Sequence, residues 1–143
     1  MRALSLMMLV IVLLTACNQS APAAAPAAEA GAFTPPTGIN VSATELETWL
    51  QQPERPFLLD VREPFESDIA SIPGTSTLIP LGQLQTRVGE LDPSQEIVVY
   101  CRSGNRSQQA IQVLQAAGFT NVKNLSGGIL SWSDHVDPSV PQY

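Results

Sequence analysis

"EIVVYCRSGNRSQQAIQVLQAAG", Glu96 to Gly118, decides how this chain folds. Its first five residues are apolar and β-branched with a single acid, and they predict a strand buried on both faces. From Ser107 to Ala117 the composition turns to Gln and Ala. Ile111, Val113 and Leu114 gather on one side there, and Gly118 stands where a helix would be closed, so this segment predicts a helix. A strand passing through a short loop into a helix is the repeating unit of a parallel sheet covered by helices. Cys101 follows the strand directly and so stands at its carboxyl end, where ligands of such sheets gather.

The same alternation runs upstream. "FLLDV", Phe57 to Val61, is an apolar run bounded by prolines and predicts a second buried strand, with a short helix following over Pro64 to Asp68. Ser42 and Glu45 have the spacing of a capping box, and Leu46, Trp49 and Leu50 fall at helical intervals behind them, so "SATELETWLQQ" predicts an amphipathic helix with Trp49 in the core. "IPGTSTLIPLGQL", Ile72 to Leu84, gives a Pro-Gly turn, a brief strand at Leu78 and Ile79, and a helix through Leu84 and Val88 to Leu91. Asn121 to Leu125 reads as a last short strand. The expectation is one α/β domain, a small parallel sheet flanked by helices on both faces, over residues 39–137, with 138–143 as a tail. Of 143 residues 44% are hydrophobic, enough for one such core and no more. Glycine-rich phosphate loops of the GxGxxG and Walker kinds are missing.

The amino-terminal end reads differently. "MRALSLMMLVIVLLTAC" has one Arg, an apolar run and a small-residue ending, the layout of an export signal and short for a membrane span. Leu14-Thr15-Ala16-Cys17 resembles the lipobox of bacterial lipoproteins, which implies a signal peptide over residues 1–16 and lipid on Cys17. At about 0.8 kcal/mol per buried methylene, the acyl chains of such an anchor hold a protein on a membrane almost irreversibly. "NQSAPAAAPAAEAGAFTPPTG", Asn18 to Gly38, is mostly Ala and Pro; residues 17–38 read as the lipidated Cys and a semi-extended tether. The expected location is the cell envelope, on the periplasmic or extracellular face.

Losing Arg2 with the signal leaves six basic residues against thirteen acidic ones, which excludes nucleic acid as a partner. Three of the six, Arg62, Arg102 and Arg106, nonetheless lie in or beside two short motifs, which points to a site for a small anion. With Cys17 lipidated, Cys101 has no disulfide partner in the chain. One His and one available Cys cannot furnish a metal site, and no organic cofactor is implied.

In "CRSGNRS" Gly104 can take positive φ freely and Asn105 better than most residues, so the backbone can curl with its amide hydrogens inward. The unpaired amides of a helix start add to that pool. A thiol at the centre ionises readily and becomes a nucleophile. A buried structural Cys is the simpler alternative, yet a core role does not call for Gly, Asn and two Arg in the next five positions. The pattern is Cys-x4-Arg-Ser. Cysteine phosphatases carry five intervening residues around a tetrahedral phosphate; one residue fewer tightens the ring to suit the terminal sulfur of a persulfide.

From about Ile39 to Asp134 the chain resembles the single-domain rhodaneses, a sulfurtransferase family, through motifs in the family's order. "LLDVREPFES" (Leu58 to Ser67) resembles its Asp-Val-Arg-x-x-x-Glu/Phe segment. "IPG" (Ile72 to Gly74) and "IPL" (Ile79 to Leu81) resemble its next landmark, "CRSGNRS" its active-site loop, and "LSGGILSW" (Leu125 to Trp132) its closing segment. Departures are Ala70-Ser71 in place of Gly-His before Ile-Pro-Gly, and Thr75-Ser76-Thr77 after it. The resemblance implies that Cys101 attacks the outer sulfur of a donor such as thiosulfate, forms a persulfide and passes sulfur to cyanide or a thiol. Arg106 and the amides of Arg102, Ser103, Gly104, Asn105 and Ser107 would hold the negative charge, and Arg102 would attract the donor. Asp60 and Arg62 would brace the loop, Gly127 and Gly128 permit close packing, and Trp132 plug the core; His135 falls in a polar tail with no catalytic part. The implied partners are small sulfur-containing anions, thiol acceptors and, through the anchor, a membrane. A persulfide carrier or docking module in the envelope is the alternative to an enzyme, and a phosphatase or arsenate reductase is disfavoured by loop length.

Overall fold

The computed structural model describes residues 33–143; the expected signal peptide, Cys17 and most of the tether lie outside the described residues. Five parallel strands form one sheet in the order β1-β5-β4-β2-β3, with β1 Asn40–Val41, β2 Phe57–Asp60, β3 Thr77–Leu78, β4 Ile97–Tyr100 and β5 Val122–Leu125. The helices are α1 Ala43–Leu50, α2 Pro64–Ile69, α3 Leu81–Arg87, α4 Asn105–Ala116 and α5 Gly128–His135. Among the described residues no helix is long and apolar enough to cross a membrane.

Strand alternation divides the core in two. Leu58, Val98, Tyr100 and Leu125 pack with Leu46 and Trp49 of α1 and Ile129 and Trp132 of α5. Leu59, Val61, Ile97, Val99 and Cys101 pack with Leu84 of α3 and Ala110, Ile111 and Leu114 of α4. The sheet is therefore covered on both faces, which is why its central strands are apolar throughout.

Local chemistry explains most element ends. The Ser42 hydroxyl accepts from the Glu45 amide while the Glu45 carboxylate accepts from the Ser42 amide, closing the capping box. Gly104 at φ 95° caps α4, which begins at Asn105, two residues before Ser107, and Gly118 at φ 94° follows its end. Residues Val88–Glu90 tighten into a 3-10 turn instead of continuing α3. β3 lies one residue earlier than read, although the Ile79 amide still bonds the Asp60 carbonyl at 2.9 Å. Neither β1 nor α5 was read from the sequence, and His135 belongs to the last turn of α5. Downstream, Val140 is buried in the α1/α5 layer, held by the Ser133 hydroxyl donating to its carbonyl at 2.7 Å, so the last residues pack back onto the domain.

Candidate active site

Cys101 leaves β4 with its side chain pointing into the α3/α4 layer and is 1% exposed. The loop above it turns its backbone inward. The Gly104 amide reaches Sγ at 3.1 Å, and the amides of Ser103 and Ser107 also favour the charged form of the thiol. The Ser107 hydroxyl stands 3.6 Å from Sγ. Arg102, Ser103 and Asn105 have exposed side chains, so the loop faces solvent with its side chains and the sulfur with its amides. Burial pushes the Cys101 thiol up, but the Ser107 hydroxyl and the amides of Ser107, Gly104 and Ser103 together bring it below its ordinary value.

The start of α5 holds the front of that loop. The Ile129 amide donates to the Cys101 carbonyl at 2.9 Å and the Leu130 amide to the Arg102 carbonyl at 3.2 Å. With the Arg102 carbonyl drawn outward, the Ser103 N–H of the same planar peptide faces in. A Cβ on Gly128, whose φ is 59°, would lie 2.4 Å from the Cys101 carbonyl oxygen and 2.6 Å from that of Arg102. Of the two glycines expected to permit close packing, Gly128 serves the loop, since only glycine lets α5 come near enough to hold it, whereas a Cβ on Gly127 would meet Ser131. Gly104 supplies the one left-handed residue of the turn; Asn105 is helical, and no non-glycine residue among those described has positive φ.

Arg106 does not point freely at the sulfur. Its Nη1 and Nη2 donate to the two carboxylate oxygens of Glu66 at 2.6 and 2.7 Å, a fork held on α2. The Arg106 hydrogen bonds above all hold the Glu66 carboxyl down to about 2, so the pair is charged at neutral pH. Arg106 is raised in turn chiefly by its hydrogen bonds to Glu66.

Asp60 and Arg62 form a fully buried pair at 2.5 Å. Arg62 also donates to the carbonyls of Glu66 at 3.3 Å and Ala70 at 2.8 Å and to the Tyr143 hydroxyl at 2.6 Å. The bracing of the loop by this pair therefore runs through α2 and Glu66 to Arg106. The departures around Ile-Pro-Gly have their own partners: Ala70 offers its carbonyl to Arg62, the Thr75 hydroxyl meets the Tyr100 hydroxyl at 2.9 Å, and the Ser76 hydroxyl accepts from the Leu58 amide at 3.1 Å.

Sequence reading placed Glu66 in a motif without giving it a role, and it missed Tyr143. The Tyr143 hydroxyl donates to Glu66 at 3.3 Å, and the guanidinium of Arg102 lies 5.5 Å from the centre of its ring while Nε donates to its carbonyl. Arg102 is thus exposed yet engaged, lying along the end of the chain at the rim of the loop.

The architecture is thus a parallel α/β sheet with a buried thiol beneath a glycine-turned loop at a strand's carboxyl end. The chain belongs to the rhodanese family: the family model described as a rhodanese-like domain matches residues 42–135. It is 36% identical over 100 residues to a sulfurtransferase of Allochromatium vinosum, covering 70% of this chain and 92% of that protein. It is 40% identical over 111 residues to the chloroplastic rhodanese-like/PpiC domain-containing protein 12 of Arabidopsis thaliana, covering 73% of this chain but only 37% of the relative. Other curated relatives are longer still, and the chain spans about a quarter of their length. Among solved structures, a rhodanese-related protein of Thermoplasma volcanium superposes with a TM-score of 0.62 at 31% identity, over 69% of this chain and 94% of that one.

Proposed function

We propose that this protein is a sulfurtransferase that forms a persulfide on Cys101 and passes its outer sulfur to a small nucleophile. Membership of the rhodanese family supports sulfur transfer in general; the Gly104 amide 3.1 Å from the buried Sγ carries the particular mechanism. The Cys101 thiolate attacks the outer sulfur of thiosulfate, a sulfur–sulfur bond forms as the one to the sulfonate breaks, and sulfite departs with that bond's electron pair. The persulfide is an anion on the terminal sulfur, and preorganised amides stabilise it without reorganisation, as donors do in an oxyanion hole. Cyanide or a thiolate then attacks that terminal sulfur, leaves as thiocyanate or a new persulfide, and returns Cys101 to thiolate. Arg102, exposed at the rim, supplies the positive charge that the incoming dianion meets, while Arg106 is held in its pair with Glu66.

The test is thiocyanate formation from thiosulfate and cyanide, with the protein isolated without reductant and weighed by mass spectrometry. A one-sulfur mass increase on Cys101, removed by cyanide and missing in Cys101→Ser, is expected. Failure to turn over thiosulfate, thiols or polysulfides would sink the enzyme reading. Carriage is the second reading, and the 1% exposure of Cys101 favours it because a shielded persulfide persists. It requires the same adduct with no turnover, delivered only to a partner.

We further propose that the domain works from a membrane surface, on the strength of Leu14-Thr15-Ala16-Cys17 alone. Labelling with a fatty acid that disappears in Cys17→Ala is the expected result, and unlabelled protein free of the membrane fraction the opposite one.

A further inference from the structure

Ser107 has one hydroxyl hydrogen and three acceptors around it: Asn124 Oδ1 at 2.6 Å, the Gly104 carbonyl at 3.0 Å and Cys101 Sγ at 3.6 Å. One hydrogen serves only one of them well. Asn124 is 2% exposed, and the other end of its amide donates to Asn40 Oδ1 at 2.9 Å. Asn40 is its register partner on the edge strand β1 and is exposed to water. A carboxamide is double-ended: turned over, it exchanges acceptor for donor with hardly any movement of heavy atoms. With its oxygen toward Ser107, Asn124 takes the hydroxyl hydrogen away from the sulfur. With its nitrogen toward Ser107 it donates to the hydroxyl oxygen and leaves that hydrogen to the sulfur, while Asn40 turns likewise and donates to Asn124. The whole row keeps its bonds in either direction, because its outer end can exchange with solvent.

We propose that Asn124 is a positioning residue for Cys101 acting through Ser107, and that the row Asn40, Asn124, Ser107 reverses direction when the sulfur gains negative charge. A hydrogen bond to an anion is roughly twice as strong as one between neutral groups, which is what draws the hydroxyl over. The persulfide part of this rests on the sulfurtransferase reading; the thiolate part needs only the thiol.

Asn40→Asp tests it from the surface, where the fold is not at stake, and Asn124→Asp tests it directly. A carboxylate at position 40 only accepts, so it holds the Asn124 nitrogen and fixes the oxygen on Ser107. The measurement is the pH dependence of alkylation by iodoacetamide, read on the Cys101 peptide of the whole protein, with and without Ser107→Ala. The midpoint should rise in N40D by about half a pH unit or more, and the rise should vanish when the Ser107 hydroxyl is gone. An unchanged midpoint in N40D, or an equal rise in both backgrounds, overturns the proposal. Protein that turns over none of thiosulfate, thiols and polysulfides yet still gives this pattern would sink the sulfurtransferase reading and leave the row standing.

Discussion

At the scale of single residues, the chemistry turns on how readily a 1% exposed sulfur ionises. Burial opposes ionisation, and what overcomes it is local: the amides of residues 103, 104 and 107 and one hydroxyl. Arg106→Gln is expected to slow persulfide formation by about tenfold, because it removes a charge and the anchor of α2 at the rim and not a donor to the sulfur. Glu66→Gln should act in the same direction and less severely, since it leaves Arg106 its charge and removes the fork that aims it. Stopped-flow loading with thiosulfate measures both. Tyr143→Phe removes a hydroxyl that accepts from the buried Arg62, and it should lower unfolding stability in urea by about 1–2 kcal/mol.

Among the elements, α5 matters most to the site, and it was the least legible. It begins at two consecutive glycines with φ of 74° and 59°, which on sequence alone argue against a helix start. Their purpose appears only once the helix is seen to approach the loop carbonyls. Gly128→Ala should therefore cost about 2–4 kcal/mol and raise the Cys101 midpoint, because the carbonyls it displaces belong to the loop itself. Thermal unfolding together with the alkylation profile checks this. By contrast β2, β4, α1 and α4 were readable because each carries a local signal: a continuous apolar run, a capping box, or a helical stripe closed by glycine. β1, two residues long, carries none. The candidate loop itself was legible from residue types, since Gly104 and the strand-to-helix junction fix its curl. Asn124 and Tyr143 were not, because their importance comes from side chains 17 and 81 residues distant in sequence.

For the whole molecule, the carboxyl rim of the sheet is one charged network in which Asp60, Arg62, Glu66, Arg106 and the packed-back end of the chain meet. Its stability should depend on pH in a definite sense. Glu66 is lowered from an ordinary 4.5 to about 2, so its contribution is complete above the upper value and is lost as pH falls toward the lower one. That amounts to about 2–3 kcal/mol, measurable as a drop in urea stability across this window that Glu66→Gln does not show. The most direct test of the central claim is the titration of Cys101 in the wild-type protein, followed by thiolate absorbance or by alkylation of its peptide. Amides that favour the charged sulfur predict a midpoint below the roughly 8.5 of an ordinary cysteine. A midpoint at or above that value would mean that burial wins, and that the loop does not hold a sulfur anion.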